Sequence, residues 1–200
     1  MTPSRTGDVG IACVRTGASY GDPPYELVTN TWLVGDEHEV VVIDAANDAG
    51  LILDAVGGRR VVGVLCTNGT VDHVNAAPAV ADATGAPVLL NADDRRMWAG
   101  THPDRAPEGG LVDGQVVTVA GLELRVLCTP GYTRGSVAFH APGASTVFAG
   151  DTLGPVDPAG RHADVRRASI GALLALPAGT LVRPGHGEPA TVAEHVRTVD

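Results

Sequence analysis

Four stretches of this 200-residue chain place a polar, chemistry-bearing side chain beside glycines directly after an apolar run. Residues 61–66 lead into Thr67-Asn68-Gly69-Thr70-Val71-Asp72-His73, and residues 123–128 lead into Thr129-Pro130-Gly131-Tyr132-Thr133-Arg134-Gly135-Ser136. Residues 146–149 end in Gly150-Asp151-Thr152, and residues 181–183 end in Pro184-Gly185-His186-Gly187. Imidazoles and carboxylates exchange protons and ligate divalent cations. The Tyr132 phenol is of the type that donates a proton or steadies an oxyanion, and Arg134 is of the type that reaches an anionic substrate. Each has a plainer reading. Asp72 and Asp151 suit turn closure, His73 a satisfied core position, and His186 a turn between glycines. Tyr132 suits a buried aromatic, Asn68 and Thr70 local backbone bonding, and Arg134 a solvated surface.

For the four loops to act together, the strands before them must end at one edge. Apolar runs at 9–15, 27–34, 40–44, 61–66, 87–90, 116–119, 123–128, 136–140, 146–149 and 181–183 predict strands. Gly35-Asp36 and Ala120-Gly121 read as hairpin turns. Residues 48–56 carry Ile52, Ala55 and Val56 at helical spacing, closed by Gly57-Gly58. Asn75 is expected to cap a helix through Thr84, with Pro78 in its first turn and Gly85 at its end. Asp164 is expected to cap a helix carrying Ile170, Leu173 and Leu174, stopped by Pro177, and Thr191 with Glu194 has capping-box spacing. Residues 101–114 and 153–162 read as loops. No repeat and no linker interrupts the chain, so the expectation is one α/β sandwich domain over residues 1–200.

Composition removes several function classes. All 14 basic residues are Arg, against 23 acids, for a net charge of −9. Without lysine, Schiff-base, P-loop and lysine-base chemistry are excluded. Scattered arginines in an acidic chain argue against nucleic-acid partners and anionic membrane surfaces. Cys13, Cys66 and Cys128 are odd in number and far apart, which is no disulfide framework. With no signal-like or membrane-length apolar run, the expected setting is the cytoplasm. A catalytic thiol at Cys66 or Cys128 is the minority reading. Arg-only, Ala/Gly-rich usage points to a high-GC source.

Several short motifs then resemble the metallo-β-lactamase fold hydrolases, in their glyoxalase II-like branch. Asn30-Thr31-Trp32-Leu33-Val34-Gly35-Asp36 resembles the early strand, and Val42-Ile43-Asp44 the next, although Asp44-Ala45-Ala46 stands where the family has Asp-Thr-Gly. Thr129-Pro130-Gly131, Gly135-Ser136, Gly150-Asp151-Thr152-Leu153 and Pro184-Gly185-His186-Gly187 follow in family order. Ala45-Ala46-Asn47-Asp48 and Thr101-His102-Pro103-Asp104 resemble an actinobacterial subgroup associated with thiol-cofactor metabolism. The resemblance implies a four-layer αβ/βα sandwich.

It also implies a half-emptied metal site. Asn68, Thr70 and Tyr132 stand where the family's first metal has its three imidazoles. The second site is complete in Asp72, His73, Asp151 and His186, two imidazoles and two carboxylates suited to one divalent cation. Zinc is the first expectation, iron or manganese the alternatives. The implied activity is hydrolysis of a small thioester, ester or lactone, with Asp72 taking a proton and Tyr132 aiding the oxyanion. Asn68, Thr70 and Arg134 are expected to line the substrate, Arg161 to reach an anionic substrate as Arg134 does, and His102 and His162, in their loops, to border the pocket. The competing expectation is a metal-free pseudoenzyme, or a lyase, cyclase or isomerase built on the same fold and binding a small molecule.

Overall fold

The computed structural model describes residues 9–154 and 163–199. Arg161 and His162 lie outside them. Two six-stranded sheets face each other. One runs β1 (Gly10–Tyr20), β2 (Tyr25–Gly35), β3 (Glu39–Ile43), β4 (Arg60–Leu65), β5 (Val88–Leu90), β6 (Gly109–Gly110). The other runs β12 (Ala190–Thr191), β11 (Leu181–Pro184), β10 (Thr146–Gly150), β9 (Val137–Ala141), β8 (Leu122–Cys128), β7 (Val116–Val119). Helices α1 (Ala49–Val56), α2 (Val71–Val74), α3 (Ala77–Thr84) and α4 (Arg95–Thr101) accompany the first sheet, and α5 (Ala163–Leu174) and α6 (Val192–Val199) the second. This is the αβ/βα sandwich that the resemblance implies. Among the described residues no helix is long and apolar enough to cross a membrane.

The strand period of two builds the three apolar layers. In β3, Val40 and Val42 pack toward the helices with Ile52, Val80 and Trp98, while Val41 and Ile43 pack between the sheets. In β9, Val137 and Phe139 enter the layer between the sheets and Ala138 faces Leu173 on the helix side. A strand buried on both faces reads as a continuous apolar run, which explains why β3 and β4 lack alternation in sequence.

Local chemistry sets the ends. The Leu51 N–H donates to the Asp48 side chain at 3.0 Å, and Gly57 leaves α1 at φ 62°. Ala120 and Gly121 both take positive φ at the β7–β8 hairpin. Thr191 and Glu194 make the reciprocal capping box, with Glu194 N–H donating to Thr191 Oγ1 at 3.2 Å and Thr191 N–H to Glu194 Oε2 at 2.7 Å.

Four expectations are corrected. Asn75 does not N-cap α3: it closes α2, Ala76 precedes α3, and the Asn75 amide oxygen accepts from the Asn47 N–H at 2.6 Å. Helix α4 occupies residues read without structure, because its packing on the core through Trp98 overrides a weak local signal. Gly109–Gly110 pairs with β5 inside the stretch expected to be a loop. The first hairpin runs past its apolar core, to Tyr20 and back from Tyr25, because full backbone pairing carries exposed residues along.

Candidate metal centre

Strands β3, β4, β10 and β11 end at the same edge. β3 and β4 are parallel, as are β10 and β11, so the loops after them meet where the two sheets adjoin. Asp44 closes β3, α2 carries Asp72 and His73 after β4, Asp151 follows β10, and His186 follows β11. One ligand atom from each of Asp72, His73, Asp151 and His186 lies within 4.8 Å of the others. His73 is fully buried, Asp72 and Asp151 are nearly so, and His186 is partly open to solvent.

The hydrogen bonds around the two imidazoles fix their chemistry. His73 Nδ1 meets Asp44 Oδ2 at 2.9 Å, and His186 Nδ1 meets the Val28 carbonyl at 2.8 Å. Both partners are acceptors, so each Nδ1 carries a hydrogen, and in its neutral form each ring turns an Nε2 lone pair to the cluster. The two Nε2 atoms are 3.2 Å apart. Around them stand Asp151 Oδ2, 3.1 Å from His73 Nε2, and Asp72 Oδ2, 3.2 Å from His186 Nε2. Asp151 Oδ2 is buried without a hydrogen-bond partner. Opposed lone pairs and an orphaned carboxylate oxygen are a donor set that a divalent cation satisfies.

Without a cation, protons must balance the charge. Burial works against charge on His73, but Asp151 and Asp44 outweigh it and push the imidazole well above its ordinary value. For Asp72, burial works upward, and the His186 hydrogen bond, the His73 charge and Thr70 bring the carboxyl down to about 2. Asp151 is likewise lowered against its burial, chiefly by His73. His186 is raised against its burial by Asp72 and Asp151.

The remaining expected site residues divide. Asn68 is buried and turned on its own loop: its Oδ1 accepts from the Thr70 N–H at 2.9 Å and the Thr70 hydroxyl at 2.6 Å. Thr70 also bears on the Asp72 carboxylate. Tyr132 is partly buried, and burial together with Asp151 and Asp72 pushes its phenol well above the ordinary value, so the hydroxyl keeps its proton. Arg134 is exposed and lines a shallow depression of about 250 Å³ with Asp93, Pro130, Gly131, Thr133 and Val165, without a described contact to the four-residue group. His102 serves packing, with Nε2 2.9 Å from the Val74 carbonyl and its ring 4.6 Å from that of Trp98. Cys66 is fully buried and its thiol is pushed well up, which makes it inert.

Three supports escaped the reading of individual residues. Asp44, at φ 56°, accepts from the Thr67 N–H and hydroxyl, both at 2.7 Å, while holding His73. Asn30 donates its side-chain amide to the Gly187 carbonyl at 2.8 Å and to Pro184 at 3.1 Å, which pins the His186 loop. Asp94 is buried and ties the Asn68 loop to the Tyr132 loop, accepting from Gly69 N–H at 2.9 Å, Thr133 hydroxyl at 2.6 Å and Gly135 N–H at 2.8 Å. Asp44 and Asn30 sit within legible motifs; nothing in the local sequence marks Asp94. Gly185 has to be glycine, since a Cβ there would run into His73 and come within 2.9 Å of Asp151 Oδ1.

The family model described as "Metallo-beta-lactamase superfamily" matches residues 24–186. An uncharacterized protein of Mycobacterium tuberculosis is 30% identical, covering 88% of this chain and 94% of its own length. A hydroxyacylglutathione hydrolase of Cereibacter sphaeroides is 33% identical, covering 88% of this chain and 72% of its own. A protein solved in a di-iron-bound form superposes with a TM-score of 0.73 at 29% identity, covering 92% of this chain and 98% of that one. With the model spanning most of the length and the same two-sheet architecture, the chain belongs to the metallo-beta-lactamase superfamily.

Proposed function

We propose that the protein is a hydrolase of small thioesters, esters or lactones that works with one divalent cation held by Asp72, His73, Asp151 and His186. The observation that carries this reading is the pair of opposed Nε2 lone pairs beside the orphaned Asp151 Oδ2. Zinc suits the mixed imidazole and carboxylate donors, and iron or manganese suit them as well. A cation bound there supplies Lewis acidity to a carbonyl and lowers the pKa of water.

The chain's own residues supply the rest. Asp72 stays ionised at neutral pH and is the proton acceptor beside the reacting carbonyl. Tyr132 keeps its hydroxyl proton and donates a hydrogen bond to the developing oxyanion. By the resemblance, Asn68, Thr70 and Tyr132 stand in for the family's first-metal imidazoles, and the mutual bonding of Asn68 and Thr70 supports a centre with a single cation. Related hydroxyacylglutathione hydrolases support a thioester among the substrates.

A second reading has its own support. With His73 and His186 both protonated, their two charges offset those of Asp72 and Asp151 without a cation, as a metal-free binding protein or non-hydrolytic enzyme requires. Elemental analysis of the purified protein and of Asp72→Ala separates the two. The hydrolase reading expects one equivalent of metal in the wild type, a large loss in the variant, and turnover within a thioester, ester and lactone panel. A metal-free protein that stays inactive after loading with zinc, iron or manganese overturns it.

A further inference from the structure

The segment that joins β3 to α1 bends through two left-handed residues, Asp44 at φ 56° and Asn47 at φ 63°. Side chains of L residues keep that conformation only where their surroundings fix it. Here the fixing groups come from other segments. The Thr31 hydroxyl donates to the Asp44 carbonyl at 2.6 Å, and the Thr16 hydroxyl donates to the Ala46 carbonyl at 2.9 Å. The Asn47 N–H donates to Asn75 Oδ1 at 2.6 Å. This braced turn carries Asp44, whose carboxylate holds the His73 ring by Nδ1.

Asn75 closes the arrangement from the other side. Its Nδ2 donates to Asn47 Oδ1 at 3.0 Å and to the Tyr20 hydroxyl at 3.1 Å, and that hydroxyl donates to Asn47 Oδ1. Asn47 Nδ2 in turn donates to the Thr16 carbonyl in β1 at 3.0 Å. The Asn75 N–H donates to the Val71 carbonyl at 3.0 Å, which makes Asn75 the last link of α2, the helix of Asp72 and His73. The next N–H, of Ala76, donates to the Ala45 carbonyl at 3.2 Å. Asn47, Asn75 and Tyr20 are not among the four clustered ligand residues. His73 is nevertheless held twice, by its backbone in α2 and by its ring on Asp44. Asn75 joins those two supports.

We propose that Asn75 is a positioning residue for the His73 imidazole: through Asn47 it sets the reach from α2 to the Asp44 carboxylate, and with it the direction of the His73 Nε2 lone pair. The consequence for cation affinity rests on the metal-dependent reading above; the consequence for the His73–Asp44 bond does not. Small shifts matter here, because a hydrogen bond weakens steeply as its angle falls and ligand groups work only near their productive geometry. Tyr20 is secondary by the same geometry. It reaches only the side chains of the pair, whereas the Asn47 backbone N–H is taken by Asn75 itself.

Proton NMR of histidine-labelled protein, recorded with excess zinc ions present, reads the His73–Asp44 bond directly. The His73 Nδ1–H is expected as a downfield resonance that persists in His186→Gln. Competition with a chromophoric chelator reads zinc affinity alongside. In Asn75→Ala the resonance is expected to move upfield or vanish into exchange with water, and zinc affinity to fall about tenfold. Cooperative urea unfolding is expected to remain, because the Ala76 bond to Ala45 is untouched. Asn75→Asp keeps an acceptor for the Asn47 N–H and is expected to restore the resonance, and Tyr20→Phe to leave it in place. If Asn75→Ala does not fold, Asn75→Ser, whose hydroxyl falls short of Asn47, carries the same expectation. A wild type without the resonance, or an unchanged resonance in Asn75→Ala whatever its loss of stability, overturns the proposal. So does unchanged affinity in Asn75→Ala where the wild type binds zinc, a loss in Asn75→Asp equal to that in Asn75→Ala, or a larger change in Tyr20→Phe. If the resonance responds as expected and the wild type takes up no zinc, the cation reading falls and the positioning of His73 stands.

Discussion

Each imidazole of the cluster has a named partner that decides which nitrogen faces inward. Asp44 does this for His73 and the Val28 carbonyl for His186. Orienting partners of this kind commonly carry a 10–100-fold share of metal affinity. Asp44→Ala is therefore expected to weaken metal binding by roughly 10–100-fold with the four direct donors intact, read by competition with a chromophoric chelator. An unchanged affinity would show that packing alone orients His73. At this scale the sequence was partly legible. Asp72 and His73 are adjacent, and Asp151 and His186 sit beside glycines, so their chemistry was visible. Asp44 stood out as part of a strand motif but not as the partner of His73, because its bond to His73 spans 29 positions that no local pattern connects.

Among the elements, the loops do not hold themselves in place; buried polar side chains from other segments brace them. Asp94 accepts three hydrogen bonds from two loops and carries its charge in the interior without an arginine partner among its bonds. The space beside it is tight, and a Cβ at Gly135 would come within 2.7 Å of the Asp94 carboxyl carbon. Asp94→Ala leaves the buried Gly69 and Gly135 N–H groups unpaired, while the Thr133 hydroxyl keeps Ser136 Oγ at 2.7 Å, and each unpaired group costs about 1–3 kcal/mol. The expected loss of stability is at least about 2 kcal/mol, seen as a lower urea midpoint with an unchanged slope. A shift within the error of the midpoint would mean that the loops are held by their own turns. Strands, hairpin turns and the Thr191 capping box followed from period and turn chemistry. Asn75 and α4 did not: the Asn75 side chain is claimed by Asn47, and α4 is held by the burial of Trp98.

For the molecule as a whole, the site depends on the two sheets keeping their separation, since Asp44 and His73 come from one and Asp151 and His186 from the other. Phe139 and Phe148 from one sheet and Leu33's neighbours Trp32 and Val34 from the other share the layer between them, with Trp32 and Phe148 edge-on at 5.9 Å. Phe139 is fully buried there. Phe139→Ala is expected to cost about 3–5 kcal/mol in urea unfolding, more than truncation of any exposed valine, because the cavity opens between two sheets that cannot collapse onto it. A loss under about 1 kcal/mol would show that the layer repacks.

What the sequence by itself determined was the architecture and the chemical types available. Apolar periodicity specifies strands and helices locally, and the ordered motifs carried the two-sheet expectation and the four residues now found together. Only the tertiary structure decided what those residues face. Asn68 and Thr70 spend their bonds on each other, Tyr132 stands against the Asp151 charge, and Arg134 points to the surface. The hydrogen-bonded partner of each imidazole and the orphaned oxygen of Asp151 are likewise products of packing. The physical reason is range: turn and strand preferences act over a few neighbouring residues, whereas the direction of a buried lone pair is set by groups that the fold brings in from distant parts of the chain.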